Sequence, residues 1–153
     1  MVKTNAMRIL ERENAEYIEH TYEGGALSGT EVARVLGEEV ERVFKTLVTT
    51  CAPDRYYVFV IPAAAELDLK KAARAAGEKA VEMLPQKRLL PLTGYIHGGC
   101  SPVGMKKPFP TFFDLSAEGR KIFVSGGKVG VQIEISAEDL LRVTGGKFAD
   151  LKR

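Results

Sequence analysis

The residues of this chain best suited to chemistry fall in two places. Lys45 sits in "RVFKTLVTT", with Val43 and Leu47 on its own face of a strand and Phe44 and Val48 on the other. A lysine between two apolar faces loses hydration unless it meets an anion or reaches a cavity. The plainer alternative is a stem that packs while the amine reaches water. The second place is "GYIHGGCSPVGMKK", Gly94 to Lys107, which crowds glycines, a cysteine, a Ser-Pro step and two lysines into one loop. Gly98 and Gly99 allow positive φ and a close backbone approach, so the amides after them could converge on an oxygen. Pro102 fixes its own φ and restricts Ser101 before it. The alternative there is a structural turn carrying a solvated lysine pair.

Several well-known chemistries are excluded by spacing. The loop has neither the G-x-x-x-x-G-K-[ST] phosphate pattern nor the dinucleotide G-x-G-x-x-G. A nucleophilic Cys100 would need an orienting base, and neither His97 in the same loop nor His20 on a distant strand has a diagnostic placement. Two histidines and two separated cysteines give no metal-ligand spacing, so no metal and no cofactor are expected. "SGGKVG", Ser125 to Gly130, reads as a hairpin turn, and Tyr22 ends a strand just before a glycine loop.

The elements that must hold these residues are legible from periodicity. Thr4 caps a helix through about Arg12, and "AEYIEHTY" alternates as a strand ending at Tyr22. Ser28 or Thr30 starts a short helix that Gly37 stops. "RVFKTLVTT" and "YYVFVIP" are strands around a "CAPDR" turn, and Asp68 caps a helix that ends at Gly77. "KAVEML" reads as a short strand, while the prolines of "PQKRLLPL" argue against a long helix there. "PTFFD", "KIFVS", "VGVQIEI" and "KFADL" read as strands, and Ser136 begins a helix with Asp139 at the capping-box position. Consecutive strands joined by short turns argue for an α/β domain with a mixed, curled, barrel-like sheet and flanking helices, not a doubly wound fold.

The chain has 153 residues, 45% hydrophobic and 27% charged, which fits one domain spanning residues 1–153. No apolar run approaches a membrane span and the first residues lack a signal-peptide core, so the cytoplasm is expected. Twenty-two basic against 20 acidic residues is too balanced for a protein that coats a duplex. It is compatible with one that holds only a strand end. No heptad is visible, and a monomer is expected.

Taken in order, "TNAMRILE", "HTY", "FKTL", "TGYIHGGCSPVGMKK", "VSGGKVG" and "ISAEDLLRVTGGKFADL" resemble the YbaK/EbsC family, the prolyl-tRNA synthetase-associated domain. The resemblance spans essentially the whole chain, and the order and spacing of the pieces carry it. Within the family, the nearest pattern is that of the bacterial Cys-tRNA(Pro) deacylases.

The resemblance implies hydrolytic editing in trans: removal of a wrong amino acid, above all cysteine, from tRNA(Pro) mischarged by prolyl-tRNA synthetase. Alanine or another small amino acid is the alternative substrate, and a non-catalytic aminoacyl-tRNA or synthetase-binding module the alternative class. By the same resemblance Lys45 is the family lysine, followed by Thr46. Gly98 and Gly99-Cys100-Ser101-Pro102 form the family loop, and Tyr22 and Ser125 line the pocket. The implied route uses the substrate's own thiol, with the Gly99 and Cys100 amides stabilising the oxyanion and Lys45 anchoring the tRNA 3′ end. The chain departs from its relatives at Gln132, a position acidic in some of them, and in the short "ALS" stretch before Gly29.

Overall fold

A computed structural model describes residues 3–153. Its first element, α1 (Asn5–Arg12), starts where the Thr4 hydroxyl accepts from the Met7 amide at 3.2 Å, and it buries Ala6, Met7 and Leu10. Strand β1 (Tyr17–Thr21) follows, then α2 (Gly29–Leu36). Ser28, not Thr30, caps α2, in a full capping box with Glu31, and Gly37 ends it at φ +69°. A turn of 3-10 helix (Val40–Arg42) leads into β2 (Phe44–Cys51) and β3 (Arg55–Pro62). Asp68 caps α3 (Leu69–Ala76), which Gly77 closes. Only Glu82–Met83 of "KAVEML" pair, as β4. The proline-rich stretch makes a 3-10 turn and the five-residue α4 (Leu89–Thr93). The chain ends with β5 (Thr111–Asp114), β6 (Lys121–Lys128), β7 (Val131–Ser136), α5 (Ala137–Thr144) and β8 (Lys147–Ala149).

The strands form two sheets, not the one curled, barrel-like sheet expected from the strand pattern. One is antiparallel, in the order β1-β7-β6; the other is mixed, in the order β4-β2-β3-β5-β8. Their backbones pair through one parallel bridge among the described residues, Val43 to Phe123. The physical reason lies at β2. It pairs with β3 along its whole length, but with β4 only at Thr49 and Thr50, so its first half keeps one edge unpaired. The bridge lies at the very start of that edge and does not propagate.

The main core lies between the sheets. Phe44, Val48, Val58, Val60 and Phe113 from the mixed sheet meet Ile122, Val124, Ile133 and Ile135 from the antiparallel one, closed by α1 and Leu140 of α5. Helix α3 covers the other side of the mixed sheet over Phe59, Ile61 and Leu151. The outer face of the antiparallel sheet carries a smaller cluster, in which Phe123 and Val43 pack on Val32 and Ala33 of α2. Fully burying a side chain such as Phe123 is worth about 1.5–3 kcal/mol, enough to hold a two-turn helix against this face. Among the described residues no helix is long and apolar enough to cross a membrane.

Candidate active site

Alternation along β6 and β7 decides which side chains reach the site. Ile122 and Val124 turn into the main core, so Phe123 and Ser125 face the other way, toward α2. Val131, Ile133 and Ile135 likewise turn inward and leave Gln132 and Glu134 on the outer face. Ser125 pairs directly with Gln132 across the ladder, and Gln132 with His20. Tyr22, just past β1, is fixed by its amide donating to the Gly130 carbonyl at 3.0 Å.

The unpaired edge of β2 closes the opposite wall. Val43 O accepts from Ala63 on the β3 side, whereas Val48 O accepts from Leu84 on the other. Backbone groups alternate along a strand, so those of Thr46 point to the unpaired side. A cavity of about 300 Å³ opens there. Tyr22, Lys45, Thr46, Gly98, Cys100, Ser125 and Gln132 all line it. Six of these, all but Gln132, are site residues expected from the sequence, and the structure brings the seven together from five separate segments.

The electrostatics of the cavity are one-sided. Lys45 lines it with no ion-pair partner among the described residues, and no carboxylate lines it. Two buried oxygens in its wall, Thr46 Oγ1 and Gln132 Oε1, have no hydrogen-bond partner. Buried polar atoms are normally paired, so two orphaned oxygens leave the wall of this cavity with unsatisfied polar capacity. Ser125 Oγ is engaged, accepting from the Gly127 amide at 3.1 Å.

The glycine loop corrects part of the sequence reading. Gly98 has φ +86° and lines the cavity, as expected. Gly99 does not. Its amide donates to Ile96 O at 3.0 Å, and a Cβ there would lie 3.0 Å from Val129 N and 3.1 Å from two Lys128 backbone atoms. Gly99 is small so that the loop can press on the β6–β7 turn, and its amide is already committed. Ser101 is fully buried, with its hydroxyl accepting from Val103 N at 3.1 Å, and Pro102 lines a separate cavity behind the loop. Neither reaches the site. Cys100 does, but burial pushes its thiol up to about 12. Both cysteines are free thiols.

A charged cluster braces the outer face beside the cavity. Arg42 donates to Glu134 at 2.6 Å and to Glu38 at 2.8 Å, and lies 4.8 Å over the Phe123 ring. His20 meets Glu134 at 3.1 Å. The Arg42 guanidinium, with His20 second, holds the Glu134 carboxyl below the usual range. The cluster clamps the junction of the two sheets.

The sequence pointed to the "ALS" stretch, whose Leu27 and Ser28 do line the cavity, but not to Gly29, Ala63, Leu89 or His97, which line it too. A Cβ on Gly29 would stand 2.0 Å from Ala63 Cβ, so α2 can begin against the end of β3 only with glycine there. The sequence marks a helix start at Ser28 or Thr30, but nothing in it signals the close approach to Ala63.

The chain is similar to known proteins along nearly its whole length. The model of the aminoacyl-tRNA editing domain matches residues 24–143. EbsC of Enterococcus faecalis, whose name describes it as a Cys-tRNA(Pro)/Cys-tRNA(Cys) deacylase, is 49% identical over 152 residues, covering 97% of this chain and 93% of that protein. A crystal structure described as a trans-editing enzyme for prolyl-tRNA synthetase superposes with a TM-score of 0.83 at 27% identity, over 100% of this chain and 99% of that one. The hypothetical protein APE2540 shares the fold, with a TM-score of 0.90 at 24% identity over 98% and 100% of the two chains. The matched span holds the cavity and every residue that lines it except Tyr22, and the chain belongs to the aminoacyl-tRNA editing domain family.

Proposed function

We propose that this protein is a trans-editing deacylase that removes cysteine from mischarged Cys-tRNA(Pro), and from Cys-tRNA(Cys) by the same chemistry. The observation that carries the reading is a cavity supplying a cation and unpartnered polar atoms but no activated nucleophile. Its one thiol is held protonated at neutral pH. Such a site suits a substrate that brings its own nucleophile. The 49% identity to EbsC supports the choice of substrate.

The step is intramolecular. The cysteinyl thiol attacks its own ester carbonyl, a C–S bond forms, and the bond to the ribose oxygen breaks. The thiol proton ends on that ribose oxygen. A four-membered thiolactone leaves and is opened by water to cysteine. Holding thiol and carbonyl together is a proximity effect, and donors aimed at the developing oxyanion lower the barrier further. With Gly99 committed, the Cys100 amide, which has no partner among the described residues, is the loop donor for that oxyanion. Lys45 anchors the terminal ribose-phosphate, and Tyr22, Thr46, Gly98 and Ser125 shape the pocket. Prolyl-tRNA synthetase is the expected partner that supplies tRNA identity, acting on a monomer in the cytoplasm.

The test is turnover of Cys-tRNA(Pro), Ala-tRNA(Pro) and Ser-tRNA(Pro) side by side. Rapid loss of cysteine alone supports the thiol route. Rapid loss of alanine would shift the reading to water attack, for which His97 in the lining is the available base. Binding of all three without turnover would mark a recognition module.

A further inference from the structure

The near-balanced charge of the whole chain hides a segregation. From Met83 to Phe113 there is no aspartate or glutamate, while Lys87, Arg88, Lys106 and Lys107 are all present. Outside this segment the 20 acidic residues outnumber the 18 remaining basic ones. The positive excess therefore resides in one stretch.

The first part of that stretch, around α4, folds into one rim of the cavity. Leu89 and His97 line the cavity itself. Lys106 Nζ donates to Pro91 O at 3.2 Å, its amide donates to Thr93 O, and its side chain lies beside Gly94. Arg88 donates to the Tyr56 hydroxyl at 2.6 Å, and the Tyr56 ring packs edge-on against Phe109. Arg88 and Lys106, distant in sequence, are thus both tied down beside α4, whereas Lys107 lines the separate cavity behind the loop. Leu90 and Ile96 stand on this rim, each 51% exposed. The facing rim, at the start of α2, is different: its Glu31 carboxylate is taken up by the Ser28 amide.

We infer that the α4 rim, with Lys87, Arg88 and Lys106 around exposed Leu90 and Ile96, is the docking surface for the phosphate backbone of the tRNA acceptor stem. The inference rests on the proposed function and adds the side from which the substrate arrives. Charge complementarity fits this occupant: a duplex end presents closely spaced phosphates, and lysines and arginines replace their counterions. The apolar pair suits the unpaired bases that lead from the stem into the cavity. The acceptor stem lies over α4 and away from α2.

The test compares the full-length protein with Lys87→Glu/Lys106→Glu and with a control pair of equal charge change, Lys70→Glu/Arg74→Glu, on the exposed side of α3. Two substrates are used: Cys-tRNA(Pro) and 2′(3′)-O-cysteinyl-adenosine, which keeps the ester and lacks the stem. The rim variant should lose at least tenfold in kcat/KM on the tRNA and nothing on the nucleoside ester. Its salt dependence should flatten by about one unit of log–log slope per lost phosphate contact. Equal loss on both substrates, no loss on the tRNA, or the same loss in the control pair would overturn the surface. Binding of an uncharged acceptor minihelix, read by fluorescence anisotropy, tests the surface without turnover. Weakening by the rim pair alone supports it, and equal affinity in all three proteins refutes it, even if deacylation itself is not found.

Discussion

Gly99 and Val129 are in such close backbone contact that a single added methyl at Gly99 would lie 3.0 Å from the Val129 amide nitrogen. This contact ties the site loop to the β6–β7 turn, at the end of the strand that carries Ser125. The glycine pair of the loop thus divides its work: Gly98 opens onto the cavity and Gly99 seats the loop.

Gly99→Ala should therefore act through structure. Its φ is not in the left-handed region, so the penalty is overpacking, typically 1–3 kcal/mol. A lower Tm together with reduced deacylation is expected. Full activity with a wild-type Tm would show that the contact is slack.

Lys45→Ala should leave the fold intact, since the side chain makes no ion pair, while deacylation falls on the order of a hundredfold or more, the usual scale for losing an electrostatic stabiliser. Single-turnover assays with an unfolding curve separate the two effects. Near-normal rates in the alanine variant would remove Lys45 from the scheme.

Gln132→Met should uncouple stability from activity. The substitution removes an orphaned buried oxygen at similar volume, so the melting temperature should hold or rise. If the oxygen serves a substrate donor, kcat/KM should drop by about tenfold, the scale of one lost hydrogen bond. A fall in both would mean that Gln132 is structural.

Cys100→Ser should retain deacylation, because the thiol that attacks belongs to the substrate. The same residue has an alkaline signature. Burial pushes Cys100 up to about 12, and burial pushes Tyr95, near that thiol, up to about 12 as well. Both keep their protons in the folded chain at pH values where the unfolded chain releases them. Above about pH 9 the unfolded state binds fewer protons, so stability falls as pH rises toward 12. Urea midpoints measured between pH 8 and pH 10.5 should decline in the wild type and decline less in Cys100→Ser.

Much of this fold follows from local rules that the sequence states openly. Thr4, Ser28, Asp68 and Ser136 each accept from an amide two or three residues on, and Gly37, Gly77 and Gly145 end their helices with positive φ. These are interactions between near neighbours, so sequence spacing alone specifies them. The alternation of β6 and β7 is equally local, and it fixes Ser125 and Gln132 to one face. Residue types also limited the chemistry: a lysine, a glycine loop, and no base placed to activate a thiol.

What sequence could not decide depends on contacts between segments far apart in the chain. Whether the strands make one sheet or two turned on where β4 stops pairing with β2, a matter of two residues at Thr49 and Thr50. The role of Gly99 depended on the approach of Lys128 and Val129, and the start of α2 on Ala63. The loop motif assigned the oxyanion amides to Gly99 and Cys100 together and gave Ser101 and Pro102 to substrate binding. Tertiary packing sent only Cys100 to the cavity, gave the Gly99 amide to Ile96 and buried the other two, because each position along a turning backbone faces a different direction. Local hydrogen bonding and periodicity are written in the order of the residues. Which groups remain unpaired around a cavity is settled only when the separate elements have packed.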